Sequence, residues 1–325
     1  MSAVLDIQGL SLGVRTEAGM AHILDHVDLA VHSGEIMGLV GESGCGKTTL
    51  ARALLGNLPE SGAWKAGGGI RLDGEEMLQG GSKARALRGR VVTFIPQDPL
   101  ASFNPLFRIG TQIRDLLRAK LPASESPGGW KPAVISMLKA VLLPYPDAIL
   151  AAYPHQLSTG QRQRVMIALA LLPQPRLIIA DEPTTALDAS TQRQILGLLR
   201  RLAAERGAAV LFTTHDLAAA WEVCDRISVM YAGQVVEIAE RDRFFTRARH
   251  PYSRMLLACL EDGSTGIPGD APDPHAPSAG CRFAPRCPNR SQICIEARPE
   301  LAVQSDGDLL ACHHPWGDAA AGAHV

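Results

Sequence analysis

The stretch GESGCGKTT, Gly41 to Thr49, carries the spacing G-x-x-x-x-G-K-[ST] through Gly41, Gly46, Lys47 and Thr48. Those residue types in that order suit a triphosphate. Glycines let the backbone curl so that its N–H groups face phosphate oxygens, and a helix starting there adds partial positive charge. Lys47 would reach the β and γ phosphates, and Thr48 would place its hydroxyl on magnesium. Cys45, inside the loop, reads as a tolerated small side chain, since nothing in the sequence pairs it with a base.

A second group is acidic. RLIIADEP ends an apolar run in adjacent carboxylates, where Asp181 can hold a magnesium shell and Glu182 can orient and polarise an attacking water. Gln97 follows VVTFIP and His215 follows AAVLFTT; alone, each fits a plain loop, core or capping residue equally well. A third group is made of thiols. Four of the seven cysteines, Cys281, Cys287, Cys294 and Cys312, fall in the last forty-five residues, separated by five, six and seventeen residues. That spacing lacks the close pairs of most zinc modules, although clustered cysteines in a reducing compartment are more often metal ligands than disulfides.

The elements that must position these groups alternate along the chain. Apolar β-rich runs (EIMGLV, VVTFI, RLIIA, AAVLFTT) interleave with helical patterns, the look of a buried parallel sheet covered by helices. Between Pro105 and about Leu172 the pattern turns helical, in IGTQIRDLLRAK and QRQRVMIALALL, broken by the loop LPASESPGGWKP. RISVMYAGQVVEIA predicts a hairpin around Ala232 and Gly233. GSTGIPGDAPDPHAPSAG predicts a linker, being dense in Gly, Pro and Ser without periodicity.

Composition bounds the function. With 325 residues, 46% apolar and 20% charged, the chain can bury a sizeable core, and a net charge of -1 gives no reason to expect non-specific nucleic-acid binding. The longest apolar run, Val165 to Leu172, is far short of the roughly 20 residues that cross a bilayer. No charged start, apolar stretch and cleavage site open the chain, so neither a span nor a secretion signal is expected.

The order of the P-loop, Gln97, LSTGQ, LIIADEP, ALDAS and TTHD resembles the ATPase subunits of ABC transporters over about residues 4 to 260. The resemblance implies an α/β fold: a P-loop NTPase, RecA-like parallel-sheet core with an antiparallel β subdomain, a helical subdomain inserted at about 103–172, and a small Cys-rich C-terminal extension. It implies an ATPase domain over 1–262, a linker over 263–280 and a Cys-rich region over 281–325. ATP would be held by Gly41, Glu42, Ser43, Gly44, Cys45, Gly46, Lys47, Thr48 and Thr49 of one subunit. The signature Ser158, Thr159, Gly160 and Gln161, and Asp188 of the D-loop, would close on ATP from a partner subunit. Thr48, Gln97 and Asp181 would hold Mg2+, while Glu182, as base, with Gln97 and His215 would serve catalysis.

Two departures bear on the site. Thr159 stands where the signature usually has a second glycine, and a β-branched residue there costs backbone freedom, so that half-site would be weaker. Residues 1–40 contain no Phe, Tyr or Trp to stack on adenine, which leaves loose base recognition helped by His22 or Val14.

Within the family, RHPYSRMLL at Arg249 to Leu257, IPQDPLASFNPLFRIGTQI and the cysteine-bearing tail resemble the oligopeptide/dipeptide/nickel importer ATPases. That resemblance implies a second, different ABC ATPase as partner, two membrane permeases, an extracytoplasmic solute-binding protein acting indirectly, no nucleic acid, and a peripheral place on the cytoplasmic face of the inner membrane. Phe103 and Phe107 would meet the permease or fill the helical lobe. The resemblance also implies a [4Fe–4S] cluster on Cys281, Cys287, Cys294 and Cys312; Zn2+, with His313 or His314 as further ligands, and unligated thiols stay open. Cys224 and Cys259 read as core. The alternative function is a soluble ABC ATPase acting on ribosomes or nucleic acid, a class that usually carries two ATPase halves or a long coiled-coil insertion, neither of which is seen here.

Overall fold

The computed structural model describes residues 3–58, 64–78, 81–120, 129–185, 187–262, 266–276 and 278–317. Most of the loop expected between the two halves of the helical lobe, and parts of the expected linker, lie outside them. The chain opens with β1 (Ala3–Thr16), β2 (Gly19–His32), β3 (Ile36–Val40), α1 (Lys47–Leu54), β4 (Trp64–Leu72), β5 (Glu75–Glu76), α2 (Gly81–Leu87) and β6 (Val92–Ile95). It continues through α3 (Ile109–Lys120), α4 (Trp130–Ala140), α5 (Pro146–Ala151), α6 (Thr159–Leu171), β7 (Leu177–Asp181), α7 (Ala189–Arg206) and β8 (Ala209–Thr214). It closes with α8 (Leu217–Val223), β9 (Arg226–Tyr231), β10 (Gln234–Glu240), α9 (Arg241–Arg247), α10 (Pro251–Asp262), α11 (Gln292–Glu296), β11 (Ala302–Val303) and β12 (Leu309–Leu310).

These elements form two compact units, each assembled from discontinuous stretches. The first comprises Met1–Val4, His32–Ile36 and Gly80–Phe212. In it β6 runs parallel to β7, from Val92 opposite Leu177 to Ile95 opposite Ala180. Ala209 N donates to Arg176 O at 2.9 Å and Val210 N to Glu35 O at 2.8 Å, which sets the start of β8 between the starts of β7 and β3. Every residue of β7 is buried, as a parallel strand covered on both faces requires. The expected helical lobe is present as α3 to α6. Ile109, Ile113 and Leu117 recur every four residues on the buried stripe of α3. Helix α7 starts at Asp188, whose carboxylate accepts from Ser190 N and Thr191 N, and ends at Gly207 with φ 64°.

The second unit comprises Leu5–Val31, Met37–Gln79 and Thr213–Val325. It holds the antiparallel sheet β2-β1-β4-β5, with Leu5 opposite Leu72. It also holds the strand series β11-β12-β10-β9-β3. There β3 runs parallel to β9, Met37 opposite Arg226, and β9 and β10 make the expected hairpin. The turn residues Ala232 and Gly233 have φ of 45° and 83°, the doubly left-handed turn that matches strand twist. A side chain at Gly233 would meet Ile23 O at 2.4 Å, so only glycine fits.

The C-terminal residues are built into this unit. Strand β12 pairs with β10, Leu310 opposite Glu237, and the Arg243 guanidinium donates to both Asp308 oxygens, at 3.0 and 2.6 Å. Phe283 is buried against Tyr231, Tyr252 and His250. Burying a phenyl ring in such a cluster is worth about 3–5 kcal/mol against truncation to Ala. Arg282 and Arg298 both ion-pair with Asp25 of β2, at 3.0 and 3.1 Å. Burial works to raise the Asp25 carboxyl, but hydrogen bonds from His26 and Gln234 and the two guanidinium groups hold it below the usual range.

His250 is fully buried; its ring Nδ1 accepts from Tyr252 N at 3.1 Å, and burial pushes it down to about 3. An unfolded chain takes up this proton near pH 6.5 and the folded one near 3, so the stabilisation is complete above 6.5 and falls as pH drops below it. The slope is about 1.4 kcal/mol per pH unit at most. Glu237, which accepts from His250 N and is raised by burial, works in the opposite sense. Urea unfolding of the wild type and His250→Gln at pH 7 and 5.5 should therefore show a smaller loss of stability on acidification in the variant, with Glu237 common to both.

Candidate nucleotide site

The phosphate loop lies in the second unit, between β3 and α1. Gly46 precedes the helix at φ 112°, and Leu50 N donates to Gly46 O at 2.9 Å, so α1 begins directly on the loop. A Cβ on Gly41 would stand 2.1 Å from Met230 O and 2.9 Å from Cys45 Sγ, which leaves no residue but glycine. Lys47 Nζ rests on the loop's own carbonyls, donating to Gly41 O at 2.7 Å and Glu42 O at 3.0 Å. An ammonium so held, buried, and within one turn of a helix N-terminus is placed for an anion entering the curl. Cys45 is buried and its thiol is raised by burial, which makes it the inert side chain the sequence suggests. Thr48 and Thr49 follow on the first turn of α1, half-buried.

Neighbours in the same unit fix the loop. Gly233 N in the hairpin turn donates to Cys45 O at 2.8 Å, and Glu42 N donates to Tyr252 Oη at 2.9 Å. Beside Glu42 to Cys45 opens a cavity of about 350 Å3, walled by His22, Tyr231, Ala232, Ala271 to Pro274, Ala276 and Ser278. His22 N donates to Pro274 O at 2.8 Å and Thr16 Oγ1 lies 2.9 Å from His275 Nε2, which holds that segment against β2. His22 lines this cavity and Val14 does not. His215, at the end of β8 and exposed, belongs to this unit too.

The remaining candidate residues lie in the first unit. Asp181 ends β7 and is buried. Glu182 follows with φ 45°, an unfavourable backbone state for a side chain with a Cβ, and its Oε2 accepts from Gln97 Nε2 and Thr185 Oγ1, both at 3.1 Å. Gln97 and Glu182, 85 residues apart, are therefore brought together. The signature forms a reciprocal cap on α6: Ser158 Oγ accepts from Gln161 N at 3.2 Å while Ser158 N donates to Gln161 Oε1 at 2.9 Å. The hydroxyl of Thr159, the departure from glycine, accepts from Arg162 at 3.1 Å. A Cβ on Gly160 would meet Thr191 at 3.1 Å, and Thr191 in turn donates to Asp188, so signature and D-loop share one surface. Burial nearly absent, hydrogen bonds from Thr191 hold the Asp188 carboxyl below its usual range. Ala186 of the D-loop run lies outside the described residues. Phe103 is buried, whereas Phe107 and Leu106 are exposed.

The iron–sulfur expectation requires correction. Cys281, Cys287, Cys294 and Cys312 do line one cavity with His250, but its volume is about 10 Å3, room for about one water. Among the described residues no group of three or more His, Cys, Asp or Glu side chains is placed to hold a metal ion. Burial raises the Cys281 and Cys287 thiols, and pushes Cys312 up to about 12. The four cysteines do come together, but the cluster that the resemblance implied is not what they hold. Neither the [4Fe–4S] cluster nor the zinc alternative survives. Cys224 is core as expected; Cys259 is only half-buried.

Arg286, Tyr231 and Tyr252 were not legible as site residues, although Arg286 stands inside the cysteine run. A basic residue in a tail whose partner lies 244 positions earlier gives no local signal.

A glycine-curled loop at a helix start and a strand-end Asp–Glu pair define a P-loop ATPase. An ABC transporter family model matches residues 24–185, and one for the oligopeptide/dipeptide transporter C-terminal region matches 236–294. The dipeptide transport ATP-binding protein of Bacillus subtilis strain 168 is 38% identical over 320 residues, 96% of this chain and 95% of that protein. The dipeptide transport ATP-binding protein of Escherichia coli K12 is 37% identical over 324 residues, 98% of both. A solved dimeric ATP-binding cassette in a post-hydrolysis state with ADP and Pi superposes with a TM-score of 0.63 at 26% identity, over 73% of this chain and 98% of that one. The chain belongs to the ATP-hydrolysing subunits of ABC transporters. Its residues fit the ATP and Mg2+ this implies, in the cradle that a Cβ on Gly41 would fill and in the ammonium held on that cradle's carbonyls.

Gly41→Ala forces either the loop or Met230 to move, and overpacking of this kind costs about 1–3 kcal/mol. Urea unfolding should show that loss, accompanied by loss of nucleotide binding.

Proposed function

We propose that this subunit powers import of peptides, or of a related solute such as a nickel chelate, as half of an ATPase pair beneath two membrane permeases. The observation that carries the reading is the span of the likeness: dipeptide transport proteins match along nearly the whole chain, and the oligopeptide/dipeptide C-terminal region matches as well. The partner ATPase is a second, different chain, and a solute-binding protein outside the cell delivers the cargo. No helix among the described residues is long and apolar enough to cross a membrane, so contact with the bilayer would run through the permeases. The subunit works from the cytoplasmic face.

In this reading Lys47 exchanges the Gly41 and Glu42 carbonyls for phosphate oxygens, and the loop N–H groups take the remaining charge. Thr48, Gln97 and Asp181 would hold Mg2+, which when bound would neutralise charge developing on the phosphates. Glu182, oriented by Gln97 and Thr185, aligns water and takes its proton; His215 steadies the γ-phosphate. Ser158 and the start of α6 approach the ATP held by the partner's loop, while Asp188 and Thr191 keep that helix start in shape. No covalent intermediate is needed.

In the assembled transporter, Glu182→Gln should lower ATP turnover by about 10²-fold or more while ATP binding persists. Wild-type turnover in that variant would defeat the assignment, and so would solute uptake at the wild-type rate.

A further inference from the structure

Glu42, the second residue of the phosphate loop, is gripped by the C-terminal segment. Arg286 NH1 donates to Glu42 Oε2 at 2.8 Å and NH2 to Oε1 at 2.9 Å, a two-pronged pair whose guanidinium is 4% exposed. The same guanidinium donates to Ile267 O at 2.7 Å, Pro268 O at 3.0 Å and Tyr231 Oη at 3.3 Å. Every donor on its fork is thereby used, and hydrogen bonding to Glu42 first of all holds the group firmly charged. Four residues earlier, Arg282 donates to Ala232 O in the hairpin turn whose next residue, Gly233, holds Cys45 O. Two arginines of one five-residue stretch thus bear on the loop, Arg286 directly at Glu42 and Arg282 through the turn that holds Cys45. The stretch is itself anchored by Phe283 between them, buried against Tyr231 and Tyr252.

We infer that Arg286 is a positioning residue for ATP, acting through Glu42 to hold the phosphate loop in its open curl, so that the C-terminal segment is a working part of the nucleotide site. The inference rests on the ATPase reading and goes beyond it. Paired with Arg286 at both carboxylate oxygens, the Glu42 side chain holds its own backbone, and with it the start of the loop, in one place. Loss of the pair should weaken ground-state and transition-state binding equally, raising KM for ATP without slowing the chemical step.

The test is ATP hydrolysis by the assembled transporter carrying Arg286→Met, Glu42→Gln or both. KM for ATP is expected to rise about tenfold in each single variant, with kcat within about twofold, and the double variant should be no worse than either single one, as for residues acting as a unit. Asp308→Asn, which loosens the tail at Arg243 away from the loop, should lower the melting temperature and leave KM unchanged. An Arg286→Met protein that unfolds leaves the question to Glu42→Gln, a part-exposed side chain whose loss does not empty the core. The inference is overturned if Glu42→Gln keeps the wild-type KM, or if Asp308→Asn raises KM as much as the loop variants do. Failure of the wild-type protein to hydrolyse ATP would instead overturn the ATPase reading itself.

Discussion

A loop that offers backbone N–H groups to an anion keeps few of them for holding its own shape, here Cys45 N on Glu42 O at 3.3 Å, so most of that shape is imposed by its neighbours. This constraint organises the second unit. Met230 O presses on Gly41, Gly233 N takes Cys45 O, Tyr252 Oη takes Glu42 N, and Arg286 takes the Glu42 carboxylate. Strands β3 and β9, the hairpin turn, helix α10 and the tail are each required by a contact to the same seven residues. Lys47 Nζ ties the loop from within, donating to the Gly41 and Glu42 carbonyls.

The first unit solves a different problem by similar means. Under the proposed function a carboxylate must align water with its direction set beforehand, and Glu182 is held by Gln97 and Thr185 on a backbone with positive φ. Helix α6 must present a clean N-terminus, and the Ser158–Gln161 cap satisfies the groups that would otherwise be left over. Asp188 performs the same service for α7, whose first turn packs on Gly160.

Much of this was legible in the sequence because it is local. The P-loop glycines, the strand ends at Asp181 and Thr214, the Ala232–Gly233 turn and the α3 stripe all follow from period and turn chemistry within a few residues. The pairing of Gln97 with Glu182 was legible only through the order of motifs. What was not legible is long-range and electrostatic. Arg286 and Arg282 look like surface charges in a loose tail, and nothing near them announces Glu42 or Asp25. The cluster on the cysteines was carried over from the resemblance, and neither resemblance nor spacing conveys the volume that the four side chains enclose.

The central claim is that the preformed loop of the second unit is where the nucleotide phosphates bind, and calorimetric titration of MgATP into the full chain tests it most directly. Wild-type protein should show saturable, one-site binding that disappears in Lys47→Ala without loss of fold. Equal binding by the two proteins, or none by the wild type, would contradict the account.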